Sequence, residues 1–164
     1  MPALNSGVAA PNFFLLDLNG RQVSLAAELQ KGPVILAFFK VSCPVCQLAF
    51  PYLQRLYEHL EGKANIFGIS QNREREAKLF ASEYGVRFPV LLDDPDEYGV
   101  SNAYGLTNVP TVFLVSRDSE IELSSVGWSR QDMEELNDRL ARQLGIPARE
   151  LFQPGENVPA FKAG

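Results

Sequence analysis

The two cysteines of this chain lie three positions apart, in the motif Cys43-Pro44-Val45-Cys46. The motif follows the apolar run Val34–Phe39, a layout that predicts a buried strand leading into a helix with a thiol in its first turn. A helix start exposes unpaired N–H groups and the positive end of the helix dipole, and both favour a thiolate over a thiol. A second thiol one turn later can attack a mixed disulfide formed by the first. The motif therefore predicts two-electron thiol–disulfide exchange.

The two thiols are expected to play different roles. Cys43, at the start of the helix, is the candidate nucleophile, and Lys40 is a candidate for a further positive charge beside it. Cys46, one turn inward and more buried, is the candidate resolving thiol. Pro44 and Val45 set the spacing and alter the local supply of N–H groups, so we expect them to tune the reduction potential. The alternative of two ordinary core cysteines fits the strand-to-helix context less well.

The hydrophobic pattern along the chain predicts the elements that position these thiols. They are a β-hairpin within residues 8–25, a short helix Leu25–Leu29, strand Val34–Phe39, a helix from Cys43 to about Leu60, strand Ala64–Ser70, helix Arg73–Tyr84, an extended segment Pro89–Leu92, a short helix Glu97–Tyr104, strands Val109–Val115 and Ile121–Val126, and helix Arg130–Leu144. The first strands must be parallel and joined by a crossover, whereas the last two form an antiparallel pair. We therefore expect an α/β fold, a three-layer α/β/α sandwich with a mixed central sheet and an extra N-terminal β-hairpin.

Size and composition fit one globular domain. The chain has 164 residues, of which 46% are hydrophobic and 21% are charged. We expect a single domain over residues 1–164, with a core of about 7–144 and a C-terminal tail, residues 145–164, laid over the surface. The net charge of −5, without a basic stripe, argues against nucleic acid as a partner.

The sequence also bears on compartment. No apolar run approaches the ~20 residues of a membrane span, and the first residues lack the basic and apolar regions of a secretory signal. We therefore expect a cytoplasmic protein, or a periplasmic or otherwise extracytoplasmic one if a leader was removed. Two cysteines at this spacing, with no others, fit a redox pair better than a structural disulfide framework.

Further segments carry a resemblance. Ala10-Pro11-Asn12-Phe13 opens the hairpin, and Val109-Pro110-Thr111 opens a strand downstream of the cysteines. Over roughly residues 7–144 this order resembles the thioredoxin superfamily, and within it the TlpA/ResA-like thiol–disulfide oxidoreductases of the AhpC/TSA (peroxiredoxin-like) group. The resemblance implies a thioredoxin-like fold, a monomer or weak dimer, and no cofactor beyond the cysteine pair. The implied partners are a protein disulfide substrate and an upstream thiol reductant.

The resemblance also assigns roles outside the motif. Pro110 matches the cis-proline that faces the cysteine pair. Its missing N–H would leave no donor beside the sulfurs, and the Val109 backbone would stay free to pair with an extended substrate segment. Three residues depart from the pattern. Ser42 stands where thioredoxins usually carry Trp, Ala37 stands where thioredoxin has a buried carboxylate that assists proton transfer to the second cysteine, and Lys40 replaces a small or neutral residue.

A thiol peroxidase is the main alternative. Peroxiredoxins carry Thr-x-x-Cys, so Cys46 would be the peroxidatic residue and Cys43, in place of the Thr, the resolving one. Against this, no Arg lies near residues 109–111, and Lys40 replaces the Pro that usually precedes the motif. A docking domain without catalysis is a further alternative, which the intact cysteine pair disfavours.

A metal-binding module is the third alternative, because two thiolates can hold a soft ion. The chain has no second cysteine pair and a single histidine, His59, so we expect no metal site and a solvated His59 near a helix end. Trp128 is expected to pack in the core or at its rim. Gln71 and Asn72 follow a central strand at its carboxyl end, where they would either line the substrate groove or form an ordinary loop.

Overall fold

The central strand is built from the most apolar run of the chain. All six residues of β3, Val34–Phe39, are buried. Helices cover both faces of this strand, so the run is continuous rather than alternating. β3 pairs in parallel with β4, Asn65–Ser70, and antiparallel with β6, Thr111–Val115. The antiparallel register sets Phe38, near the end of β3, beside Thr111 at the start of β6.

The computed structural model describes residues 3–164. Its main sheet has seven strands in the order β2-β1-β5-β4-β3-β6-β7. The other strands are β1 Phe14–Asp17, β2 Gln22–Ser24, β5 Val90–Leu92 and β7 Ile121–Val126, and the helices are α1 Leu25–Leu29, α2 Pro44–His59, α3 Glu74–Glu83, α4 Gly99–Ala103 and α5 Arg130–Leu144. A separate two-stranded sheet joins β8, Trp128–Ser129, to β9, Phe161–Lys162.

Two hydrophobic clusters lie on opposite faces of the main sheet. The larger contains apolar side chains of α2, α3 and α5, among them Phe50, Phe80 and Leu136. The smaller contains Leu25 of α1 and Tyr104, which follows α4. The predicted three-layer sandwich is therefore confirmed. Among residues 3–164, no helix is both long enough and apolar enough to cross a bilayer.

The predicted N-terminal hairpin is present, and the side chain of Asp17 stabilises its turn. A carboxylate oxygen of Asp17 accepts hydrogen bonds from the backbone N–H groups of Asn19 and Arg21, at 2.8 and 2.9 Å. This closes the turn between β1 and β2. β1 also pairs antiparallel with β5, so the hairpin extends the main sheet.

The C-terminal tail was expected to lie on the surface, but part of it is buried in the core. Ile146, Leu151 and Phe152 are buried, so the predicted core bounds of 7–144 are too narrow. The physical reason is an aromatic cluster in which Phe152 packs against Tyr52 and Trp128, with ring centroids 5.1 and 5.9 Å away. The Tyr52 and Trp128 rings are shielded from water on this side by Phe152 of the tail.

Polar contacts fix the middle of the tail. The Arg55 guanidinium donates to both carboxylate oxygens of Glu156, at 2.7 and 3.0 Å, and to the Leu151 carbonyl at 2.8 Å. The Trp128 indole N–H donates to the Pro159 carbonyl at 2.7 Å. The tail is thus anchored to α2 and to β8 through residue 159.

The ion pair to Glu156 gives a pH-dependent contribution to stability. Arg55 holds the pKa of the Glu156 carboxyl at about 2, below its ordinary 4.5. A lowered pKa stabilises the fold above the ordinary value and loses that contribution as pH falls towards the folded-state value. We therefore expect Glu156→Gln to lower Tm slightly at pH 7, with the difference from wild type shrinking between about pH 4.5 and about pH 2.

Thermal unfolding of both proteins across this pH range measures the effect. Asp96→Asn is the control, because it breaks a largely exposed ion pair with Arg73 at 3.3 Å and should change Tm little. A Tm difference for Glu156→Gln that stays constant with pH would contradict the assignment.

Candidate active site

The motif opens α2 as the sequence pattern requires. Cys43 is the N-cap of the helix, with φ −84° and ψ 114°, and its Sγ accepts a hydrogen bond from the Cys46 backbone N–H at 3.2 Å. Pro44 follows at the first helical turn, where a missing N–H costs no helical hydrogen bond. The Cys43 backbone N–H donates to the Lys40 carbonyl at 3.2 Å, which turns the chain from the end of β3 into the helix. The sulfur of Cys43 therefore lies at the helix N-terminus.

The two thiols have unequal access to solvent. Cys43 is half-buried, whereas Cys46 is 0% exposed and belongs to the larger hydrophobic cluster. Burial raises the pKa of the Cys46 thiol well above its ordinary value, and its hydrogen bond and charge interaction with Cys43 raise it further. Cys46 is thus an uncharged thiol at neutral pH.

The loop before the motif is braced from both sides. The Asn72 side-chain oxygen accepts from the Val41 backbone N–H at 2.9 Å, and the Gln47 side chain donates to the Val41 carbonyl at 3.0 Å. Asn72 is held in turn by Ser70, because the Asn72 backbone N–H donates to the Ser70 hydroxyl at 2.9 Å. The structure therefore makes Asn72 a support for the loop that positions Cys43.

The start of β6 forms the wall opposite Cys43. The Val109–Pro110 peptide bond is cis, and the Cys43 thiol donates to the Val109 carbonyl at 3.4 Å. Two contacts hold this turn, a 2.8 Å bond from the Thr111 hydroxyl to the Asn108 carbonyl and a 2.8 Å bond from the Gly127 N–H to the Pro110 carbonyl. The fold thus brings residues 66 positions apart within contact of one sulfur.

A cleft of about 430 Å³ opens beside the Cys43 sulfur. Its lining includes Lys40, Gln71, Tyr98, Asn108 and Val109. The Lys40 ammonium lies 5.6 Å from the centre of the Tyr98 ring, a cation–π distance that holds the charge at the rim of the cleft. Lys40 and Gln71 are therefore brought together with Cys43, whereas Pro44 and Val45 lie in the first turn of α2.

Sequence reasoning missed two residues that shape this cleft. Tyr98 has a left-handed backbone, with φ 53° and ψ 42°, which is uncommon for a bulky residue. Asp93, 2% exposed, accepts from the Ser101 N–H at 2.8 Å and from its hydroxyl at 2.7 Å, and Gln71 in turn donates to that hydroxyl at 2.9 Å. No local pattern marks Tyr98, whereas the Asp93-Asp94 pair before a helix is typical of a helix-start carboxylate.

Other singled-out residues lie away from the cleft. His59 is at the opposite end of α2, about 24 Å along the helix axis from Cys43. It lies at the helix end as expected and is partly exposed, and its Nδ1 also lies 3.2 Å from the Asn137 side-chain oxygen of α5. Ala37 is fully buried between Gly68 and Val112 and supplies no carboxylate. Within residues 3–164, no group of three or more His, Cys, Asp or Glu side chains could hold a metal ion.

Known proteins with similar sequences include the AhpC/TSA family and named thiol-disulfide oxidoreductases. The model of the AhpC/TSA family matches residues 6–124. The thiol-disulfide oxidoreductase ResA of Halalkalibacterium halodurans is 33% identical over 133 residues, which span 79% of this chain and 74% of that protein. ResA of Bacillus subtilis is 32% identical, over 80% of this chain and 73% of its own length.

Solved structures share the fold. The thioredoxin domain of a thiol-disulfide oxidoreductase from Bacteroides vulgatus superposes with a TM-score of 0.74 at 24% identity, over 84% of this chain and 98% of that one. At 24% identity, this structural similarity shows only that the two chains share a fold.

The unequal burial of the thiols predicts unequal reactivity. In the reduced protein, we expect iodoacetamide to label Cys43 on the order of 100-fold faster than Cys46, because Cys46 is enclosed and its pKa is raised. Mass spectrometry of Cys43→Ser and Cys46→Ser, each with one remaining thiol, measures the two rates. Labelling in denaturant is the control and should bring the rates together. Equal rates in the folded variants would contradict the assignment.

Proposed function

We propose that this chain, which belongs to the AhpC/TSA family and is a thiol–disulfide oxidoreductase, exchanges disulfides with other proteins through Cys43 as attacking thiol and Cys46 as resolving thiol. One observation carries the assignment of roles. The Cys43 sulfur borders the cleft, while the Cys46 sulfur lies one turn inward and is buried.

The first step takes place at the helix N-terminus. The Cys43 thiol gives up its proton and its sulfur attacks one sulfur of a substrate disulfide; that S–S bond breaks, and the leaving sulfur takes up a proton. The Cys46 backbone N–H, which donates to the Cys43 sulfur at 3.2 Å, stabilises negative charge on the attacking atom. The product is a mixed disulfide between Cys43 and the substrate.

The second step uses the buried thiol. Cys46 attacks the Cys43 sulfur, its proton passes to the released substrate thiolate, and a Cys43–Cys46 disulfide remains. Burial is the largest cause of the raised pKa of Cys46, and the interaction with charge on Cys43 makes a smaller contribution. That contribution ends once Cys43 is in the mixed disulfide, so Cys46 becomes easier to deprotonate when its attack is required. An upstream thiol reductant restores the pair, and the reverse sequence oxidises a dithiol.

The substrate side of the cleft is the backbone at Val109. Pro110 removes one N–H from this wall, and an extended substrate segment would pair with the Val109 backbone next to the attacked sulfur. Lys40 and Tyr98 border the other side, where they would contact residues flanking the substrate cysteine. We expect no metal or organic cofactor, no nucleic-acid partner, a monomer or weak dimer, and a cytoplasmic location.

The exchange mechanism predicts that the two cysteine variants fail at different steps. Cys43→Ser should abolish reduction of insulin disulfides by dithiothreitol, to about 1% of wild type or less, because no sulfur is left at the cleft. Cys46→Ser should retain attack but lose resolution, so a mixed disulfide with the substrate accumulates and is visible on a non-reducing gel. Circular dichroism controls for folding. Wild-type activity in Cys43→Ser would refute the assignment.

A thiol peroxidase is less well supported by the geometry. It requires Cys46 to meet peroxide as a thiolate, whereas Cys46 is 0% exposed and its pKa is raised. We therefore expect stopped-flow consumption of hydrogen peroxide to be slower than turnover of a protein disulfide at equal concentrations. Cys46→Ser should leave the residual peroxide reaction in place, since it would occur at Cys43. Faster peroxide turnover that depends on Cys46 would reverse the ranking.

A further inference from the structure

The end of the C-terminal tail runs back towards the cysteine cleft. Residues 161–164, called the tip below, begin at β9, which pairs antiparallel with β8 in the register Trp128–Lys162 and Ser129–Phe161. One residue earlier, the Arg130 backbone N–H donates to the Ala160 carbonyl at 3.0 Å. This pairing directs the tip past Gly127, whose N–H is bonded to Pro110.

The last residues of the tip lie against the wall that faces Cys43. The Asn108 side chain donates to the Gly164 carbonyl at 3.1 Å. A Cβ atom added to Gly164 would overlap the Val109 carbonyl oxygen, and one added to Gly127 would lie 2.5 Å from the Lys162 carbonyl oxygen. Gly164 is also part of the cleft lining together with Cys43. The tip therefore covers one side of the Val109 backbone.

We propose that the tip is a tethered competitor for the protein substrate. It occupies the surface beside Val109 on which an extended substrate segment would lie, and it must lift before a protein disulfide can reach Cys43. The inference rests on the proposed function, because it assumes that substrates approach along Val109.

The contacts of the tail separate a firm anchor from a weakly held tip. The anchor includes buried Phe152, the Arg55–Glu156 pair and the bond from Trp128 to the Pro159 carbonyl. All four residues of the tip are exposed, and Phe161 is 61% exposed. Lifting the tip breaks a two-residue ladder and the Asn108 bond, and the tip residues that move are already exposed.

Tethering makes such weak contacts effective. The anchor keeps the tip at a high local concentration beside the surface along Val109, called the groove below, so the tip stays bound without a large interface. The apparent affinity for substrate equals the intrinsic affinity multiplied by the fraction of molecules whose groove is open. A compact disulfide reagent that enters the cleft from the Lys40 side does not need the groove and is not expected to be affected.

Removal of residues 161–164 tests the proposal, because it keeps the anchor contacts at Pro159 and Ala160. We expect kcat/KM for insulin disulfides to rise about 3- to 10-fold in the truncated protein, and the rate with Ellman's reagent to change by less than about 2-fold. A peptide with the sequence of residues 157–164 should inhibit the truncated protein competitively with insulin.

Point variants provide a matched pair within the full chain. Gly164→Ala adds a Cβ that meets the Val109 carbonyl, so it should lift the end of the tip and raise insulin turnover towards that of the truncated protein. Lys162→Ala removes an exposed side chain and keeps the backbone pairing, so it should leave turnover unchanged.

The outcomes separate this inference from the function on which it rests. Equal or lower insulin turnover after truncation, with wild-type reactivity towards Ellman's reagent, would overturn the competitor role and leave the oxidoreductase assignment in place. A full-length protein that reacts with Ellman's reagent at Cys43, while the full-length and truncated proteins both fail to reduce insulin, would instead overturn the proposed protein-disulfide function.

Discussion

The position of one sulfur atom depends on the whole sheet. The Cys43 Sγ lies between the first turn of its helix, which donates the Cys46 N–H, and the Val109 carbonyl at the start of a distant strand. The antiparallel pairing of β3 with β6 is what brings these two sites together, because it sets the start of one strand beside the end of the other. A slip of the register by one residue would reverse the facing of every side chain in β6 and move Val109 away from the sulfur. The core strands are thus part of the site.

The chemistry depends on a gradient of burial within one helical turn. Cys43 borders the cleft, whereas Cys46 is buried in the larger hydrophobic cluster. The pair therefore has one sulfur that is accessible to substrate and one that is not. Protection has a chemical use, because a thiol that stays protonated does not compete with Cys43 for the incoming disulfide. Ala37 stands where the thioredoxin resemblance would place a buried acid, so no carboxylate at this position can take the proton from Cys46, and in the proposed mechanism the departing substrate thiolate takes it.

Local sequence patterns were sufficient for much of this architecture. The run Val34–Phe39, the cysteine spacing and the apolar period of α2 each depend on residues close in the chain, so strand, motif and helix could be predicted from the sequence. Contacts between distant segments left no such local signal. The burial of Phe152 depends on its packing against Tyr52 and Trp128. His59 contacts a residue of α5. Val41, which follows β3, is hydrogen-bonded by Asn72, which follows β4. The pairing of β9 with β8 was missed for the same reason, since two exposed residues show no strand period.

The attachment of the tail to α2 has a consequence for the newly made polypeptide. Arg55, Trp128 and Asn108 all precede the residues that they bind, so their partners emerge from the ribosome after them. The strands and helices that assemble the cysteine cleft are likewise complete by residue 144. Because synthesis proceeds from the amino end, the contacts of Glu156, Pro159 and Gly164 are the last of these that the chain can form.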